Sequence, residues 1–316
     1  MTGADGVNEP ILAWLLEGDV SIQYQVRRDL LGEDRPALQR RIATEGWGAA
    51  FLARQNPDGH WGRGFYQPKW ISTHYTLLDL MHLGLSPEHP APKRAIERIL
   101  AENLGADGGV NPSGRIPQSD VCINGMFLNY ACWFRTAPDR LRSIVDYLVS
   151  VRMPDGGFNC RSNRSGAVHS SLHTTVSVLE GLLSYRAGGN DYRLDELEAI
   201  EAAAREFILM HRLFRSDHTG EVIDKRFLQL SFPPRWYFDI LRALDYFRAA
   251  GVPYDHRIED ALEVLHKKRR ADGAWPLQGK HPGAVHFDME PAGKPSRWNT
   301  LRALRVLRIY ERIGSL

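Results

Sequence analysis

A carboxylate and a thiol lie two residues apart at Asp120 and Cys122, and a second thiol and two imidazoles follow at Cys160, His169 and His173. Carboxylate oxygen, thiolate sulfur and imidazole nitrogen are the ligand types of zinc, which keeps a fourth position open in catalytic sites and closes it in structural ones. If Asp120, Cys122 and His173 meet, the open position suits water or a substrate thiol, held as hydroxide or thiolate at neutral pH. Cys160 then either replaces Asp120 or completes a closed tetrahedral set. His169 and His173 are four residues apart and would share a face on one helix. The structural alternatives are Asp120 as a helix N-cap and Cys122 as a small buried hydrophobe. Cys132, between Tyr130 and Trp133, reads as core.

Other groups could act beside this set. His74, in WISTHYTLLDL, takes the same position in its repeat as His173 does two repeats later. It is a candidate general acid or base, or a hydrogen-bonded structural histidine. Arg235-Trp236 and Arg297-Trp298 recur as pairs before the last two apolar stretches. Their guanidinium groups could grip a phosphate or carboxylate, or could sit at a solvated rim with the tryptophans in the core. Asp79 and Asp239 are the remaining candidate acids on apolar stretches.

The elements that must position these residues are repeats. QNPDGHWG, GADGGVNP, RMPDGGFN and RRADGAWP each carry an Asp-Gly turn, and SDHTGEVI is a degenerate copy, so Gly59, Gly108, Gly156, Gly220 and Gly273 recur at steps of roughly fifty residues. Before each turn runs an amphipathic helical pattern, such as Ile96, Ile99 and Leu100, or Ile144, Val145, Leu148 and Val151. After each comes a more apolar helix: 71–83, 122–134, 172–185, 236–247 and 298–309. An outer amphipathic layer around an inner apolar one closes better as a ring than as a capped solenoid. The expectation is one all-α domain over 1–316, an α/α toroid of about five helical hairpins, with residues 1–40 as a helical extension packed on it. Parallel inner helices would bring His74, Asp120, Cys122, His169, His173, Arg235 and Arg297 to one mouth.

Bulk properties narrow the partners. With 40 basic and 38 acidic side chains in 316 residues the formal charge is +2, too balanced to gather nucleic acid. Three cysteines are too few and odd in number for a disulfide framework, which points to a reducing compartment. MTGADGVNEP lacks the layout of a secretory signal, so a cytoplasmic protein is expected. No apolar run reaches the roughly 18 residues of a spanning helix, and membrane contact would be peripheral.

The first turn, AAFLARQNPDGHWG, resembles the QW motif of squalene-hopene cyclases, which implies that Gln55 and Trp61 tie the ends of outer helices together. The stretch from Asp120 to Leu182, with GGFNCRSNRSGAVHSSLHTTVSVLEGL, resembles the β subunits of protein prenyltransferases, toroids that hold zinc with an Asp-x-Cys pair and a histidine. Carried over, those ligands are Asp120, Cys122 and His173. The resemblance implies a prenyltransferase- or terpene cyclase-like transferase or isomerase, with an isoprenoid or other apolar molecule in the central cavity and zinc at its mouth. Neither Asp-x-Asp-Asp nor Asp-Asp-x-x-Asp occurs in the chain. The alternative is a non-catalytic lipid-binding or interaction scaffold, with a structural metal or none.

Overall fold

The recurrent turns set the architecture. Gly59, Gly108, Gly156, Gly220 and Gly273 all have φ between +71° and +95°, a region that a Cβ penalises. The turn hands the chain from an outer helix to an inner one, and a side chain of the inner helix fastens it. Trp61 N–H donates to Thr73 Oγ1 at 3.0 Å, Val110 to Asn124 Oδ1 at 2.7 Å, Phe158 to Thr175 Oγ1 at 3.0 Å and Trp275 to Thr300 Oγ1 at 2.9 Å. The buried indoles add a second tie. Trp61 Nε1 donates to the Phe51 carbonyl and Trp275 Nε1 to that of Leu265, both at 2.7 Å, while Gln55 Nε2 donates to the Gly59 carbonyl. The bonds of Gln55 and Trp61 fasten one turn to the end of the helix before it, rather than joining the ends of different outer helices as the QW resemblance implies.

This computed structural model describes residues 9–161 and 165–311. Residues 1–8, 162–164 and 312–316 of the expected single domain lie outside them, including most of MTGADGVNEP. The helices are α1 (Glu9–Leu16), α2 (Val20–Asp29), α3 (Pro36–Arg41), α4 (Gly46–Leu52), α5 (Thr73–His82), α6 (Pro90–Glu102) and α7 (Val121–Trp133). There follow α8 (Pro138–Ser150), α9 (Leu172–Ala187), α10 (Leu194–Met210), α11 (Ile240–Ala249), α12 (Glu259–Lys267) and α13 (Arg297–Tyr310). The only named strands among the described residues, β1 (Trp275–Pro276) and β2 (Pro295–Ser296), pair antiparallel.

Burial separates the two layers. In α6 the buried residues Ala91, Pro92, Ala95, Ile96, Ile99 and Leu100 form one stripe, whereas in α5 every residue from Thr73 to Met81 is buried. The inner helices α5, α7, α9, α11 and α13 pack in chain order, and α13 packs on α2. The N-terminal segment is therefore more than an added layer. α2 takes a sixth place in the inner wall: Gln25 Nε2 donates to the His82 carbonyl at the end of α5, and Gln25 Oε1 accepts from Arg305 of α13. The helix expected from Trp236 starts only at Ile240, where Asp239 caps it by accepting from Arg242 N–H at 2.8 Å.

The tightest joint is between α7 and α9. A Cβ on Gly125 would stand 2.6 Å from the Ser177 carbonyl oxygen, and one on Gly181 would run into the carbonyl of Gly125. Only hydrogen fits at either place. Overpacking of this kind costs roughly 1–3 kcal/mol. In urea titrations followed by circular dichroism, Gly125→Ala and Gly181→Ala are expected to lower the midpoint accordingly. Gly114→Ala, whose methyl would meet nothing within 4 Å, leaves it unchanged.

Candidate functional site

The start of α7, the loop before α9 and the segments leading into α5 and α11 enclose a cleft of about 590 Å³, within the usual range for small-molecule sites. Asp120, Cys122, Cys160 and His173 all line it, together with Lys69 and Tyr237. Four of the expected site residues thus reach one place. Cys160 Sγ lies on the N-terminus of α7, where the Cys122 N–H donates to it at 3.0 Å, and Thr174 Oγ1 donates from the first turn of α9 at 3.6 Å.

The two thiols shift in opposite directions. Cys160 is held below the usual thiol range by hydrogen bonds from the Cys122 side chain and backbone, against the opposing effect of burial. Cys122 is pushed well up by donating its proton to Cys160 and by burial. A sulfur accepting from a helix N-terminal amide has part of the environment of a reactive thiolate, although Asp120 opposes it. The cleft's half-buried cation is Lys69, which faces Cys122 and Asp120 and whose ammonium lies 4.9 Å from the Trp70 ring and 5.1 Å from that of Trp236. Burial lowers its pKa.

His173 takes a different part from the one its type suggests. Its Nδ1 accepts the Phe238 N–H at 2.7 Å. Burial and the nearby Arg242 bring its pKa down to about 4, so at neutral pH the ring is uncharged and its one proton sits on Nε2. That nitrogen is a donor and has no lone pair for a metal. Asp120 occupies the N-cap position of α7 without a side-chain bond to the first-turn amides. Among the described residues no group of three or more His, Cys, Asp or Glu side chains is placed to hold a metal ion. The residues present do not fit the expected zinc.

The other expected residues lie elsewhere. His74 is fully buried, with Nδ1 3.1 Å from the Tyr130 hydroxyl and its pKa lowered by burial to about 3. It lines no described cavity. His169 is exposed in the loop ahead of α9, which starts at Leu172, so it shares no helix face with His173. Arg297 faces outward, donating to the Trp14 carbonyl at 2.9 Å with its guanidinium 4.5 Å from the Trp14 ring. Cys132 is core, pushed by burial up to about 12.

Arg235 is buried on the ring axis, and its Nη1 meets Asp79 Oδ2 of α5 at 2.6 Å. Burial raises Asp79 to about 6 against the pull of Arg235. Arg242 of α11 reaches Glu180 of α9 at 2.8 and 2.6 Å. The first pair joins α5 to the segment leading into α11, and the second joins the neighbouring helices α9 and α11. In place of one central cavity there is a cleft at the starts of the inner helices and another between their later turns. Lys69, Tyr66, Arg161 and Arg226 also line the first, and reading only the starts of inner helices passed over them. The Lys-Trp pair at 69–70 and the Lys-Arg pair at 225–226 were the available signals, since each lies in a loop just ahead of an inner helix.

No family model matches the chain, and no curated protein matches it. Among solved structures it is similar to the apo form of the type II terpene cyclase MstE from Scytonema, at 15% identity over 97% of both chains with a TM-score of 0.47. Two substituted forms of that enzyme, carrying the substrate geranylgeranyl dihydroxybenzoate, are similar at 13% and 15% identity. They cover 95% of this chain and 94% and 95% of theirs, with TM-scores of 0.46 and 0.43. No helix among the described residues is long and apolar enough to cross a membrane.

The shared thiol proton has a direct readout. In iodoacetamide labelling followed by mass spectrometry across pH 5 to 10, Cys160 is expected to react below the ordinary thiol range, while Cys132 stays unlabelled. Cys122→Ala removes the S–H donor and shifts the Cys160 profile to higher pH; an unmoved profile would show that no proton is shared.

Proposed function

We propose that the chain is an enzyme that acts at this cleft on an isoprenoid diphosphate, transferring the prenyl group to a small hydroxyl or thiol acceptor. The observation that carries the reading is the Cys160 sulfur, held on the α7 amide in a cleft that presents cations and aromatic faces together. Lys69, Arg161 and Arg226 suit a diphosphate, with Lys69 as the partly buried contact and the two arginines at the exposed rim. The stacked rings of Trp236 and Tyr237, 3.9 Å apart, suit the hydrocarbon and any positive charge that develops on its first carbon.

In this scheme the Cys160 thiolate takes the acceptor's proton on Sγ. The acceptor oxygen or sulfur forms the bond to the allylic carbon. The carbon–oxygen bond breaks and diphosphate leaves with the electron pair towards the cations. The His173 Nε2–H is available as a neutral donor to a phosphoryl oxygen. General-base assistance of this kind contributes typically 10²–10⁴-fold.

The stacked Trp236 and Tyr237 rings also favour a second reading, a binding protein that holds an apolar ligand without turning it over. Incubation with geranyl, farnesyl and geranylgeranyl diphosphates, with water, glycerol or dithiothreitol as acceptor, separates the two. The enzyme reading expects release of diphosphate, a drop in kcat of about 10²-fold or more in Cys160→Ala, and a raised KM in Lys69→Ala. Retention of the diphosphate with no release at any chain length establishes the receptacle instead. Unchanged kcat in Cys160→Ala removes the thiolate from the chemistry.

A further inference from the structure

The second cleft, at the opposite mouth, has a chemistry of its own. It holds about 290 Å³ between the later turns of the inner helices. Five arginines line it, Arg28, Arg242, Arg248, Arg302 and Arg305, against two carboxylates, Glu180 and Asp245. Asp29, just outside it, pairs with Arg28 and Arg305, so even with it the positive charge exceeds the negative by two. Arg242 is committed to Glu180, and Arg248 takes Asp245 at 2.8 Å, leaving Arg302 only a 3.6 Å approach to the same carboxylate.

Two of these guanidinium groups keep unused donors. Arg302 is 6% exposed and Arg305 9%. Arg302 Nη1 and Arg305 Nε are nevertheless buried without a hydrogen-bond partner, as are Trp298 Nε1 and His82 Nδ1 on the same cleft. A buried charged donor left unpaired is costly, and such groups are rare in folded proteins. The helix dipole does not account for them, because both arginines stand short of the last turn of α13. Beside the donors the wall turns apolar, with Met81, Leu183 and Phe232, whose ring stacks on Trp298 at 4.5 Å.

We infer that this cleft is a second ligand site, taking a small organic oxyanion whose phosphate or carboxylate meets Arg302 and Arg305 and whose flat apolar body lies against Phe232 and Trp298. The site does not depend on the chemistry at the thiol mouth. Arg302 supplies the main grip, since Arg305 also holds Gln25 and Asp29.

Calorimetric titration with phenyl phosphate, benzoate, inorganic phosphate and phenol tests it on the full chain. Phenyl phosphate or benzoate is expected to bind at least tenfold more tightly than inorganic phosphate, and phenol to bind weakest, with the preferred anion identifying the head group. Arg302→Gln weakens the tighter ligand roughly ten- to hundredfold, whereas Lys69→Ala at the other mouth leaves it unchanged. Should Arg302→Gln fail to fold by circular dichroism, Arg302→Lys carries the same comparison. Hydrogen exchange of the unsubstituted protein adds a readout that needs no variant, because the bound ligand slows exchange across 297–310. Loss of binding in Lys69→Ala but not at Arg302, phenol binding as well as the anions, or no slowing over 297–310 overturns the inference.

Discussion

Arg235 and Asp79 meet across a ring whose inner helices pack on their neighbours in chain order. The six inner helices follow one another around the wall, and α5 stands opposite the segment that leads into α11, so this pair can form only if all the intervening helices are in place. A buried ion pair is a weak source of stability, because desolvation of both charges offsets their attraction. The raised Asp79 shows the same opposition, with burial outweighing the arginine. What the pair supplies is position. It fastens α5 to the start of α11, and each mouth has its own lining.

The two chambers differ in the kind of reactivity they favour. At one, helix N-termini face the cleft, and a thiol is held below its usual range by an amide and a second thiol. At the other, later turns face inward and guanidinium groups outnumber carboxylates. The polarity of the helices gives the ring a direction, and at one end it is used directly: the Cys160 sulfur lies where the α7 N–H groups point.

Much of the scaffold was legible because turns are local. Five glycines in Asp-Gly or Thr-Gly contexts stood at regular intervals, and every one has the left-handed backbone that such a turn requires. The convergence of Asp120, Cys122, Cys160 and His173 was legible for the same reason, since each sits a fixed distance beyond a turn. Their chemistry was less so. Whether His173 ligates or donates depends on the Phe238 N–H, sixty-five residues away, and no spacing encodes that bond. Arg235 and Arg297 look alike in sequence, each followed by tryptophan, yet one is buried on the axis and the other packs outward on Trp14. The arginines of the second cleft left a trace that was available: Arg302, Arg305 and Arg308 recur every third residue in an otherwise apolar helix, a charged stripe on a face that has to be inside.

The place of α2 in the inner wall has a kinetic side. Every other hairpin closes on a partner about fifty residues away, but the bond from Gln25 to Arg305 joins residues 280 apart. Loop closure over such a distance comes late, after shorter pairings have formed. The ring is thus an arc of locally assembled units with one seam, and nascent chain emerging from a ribosome leaves the α13-facing side of α2 uncovered until nearly the last helix has been made.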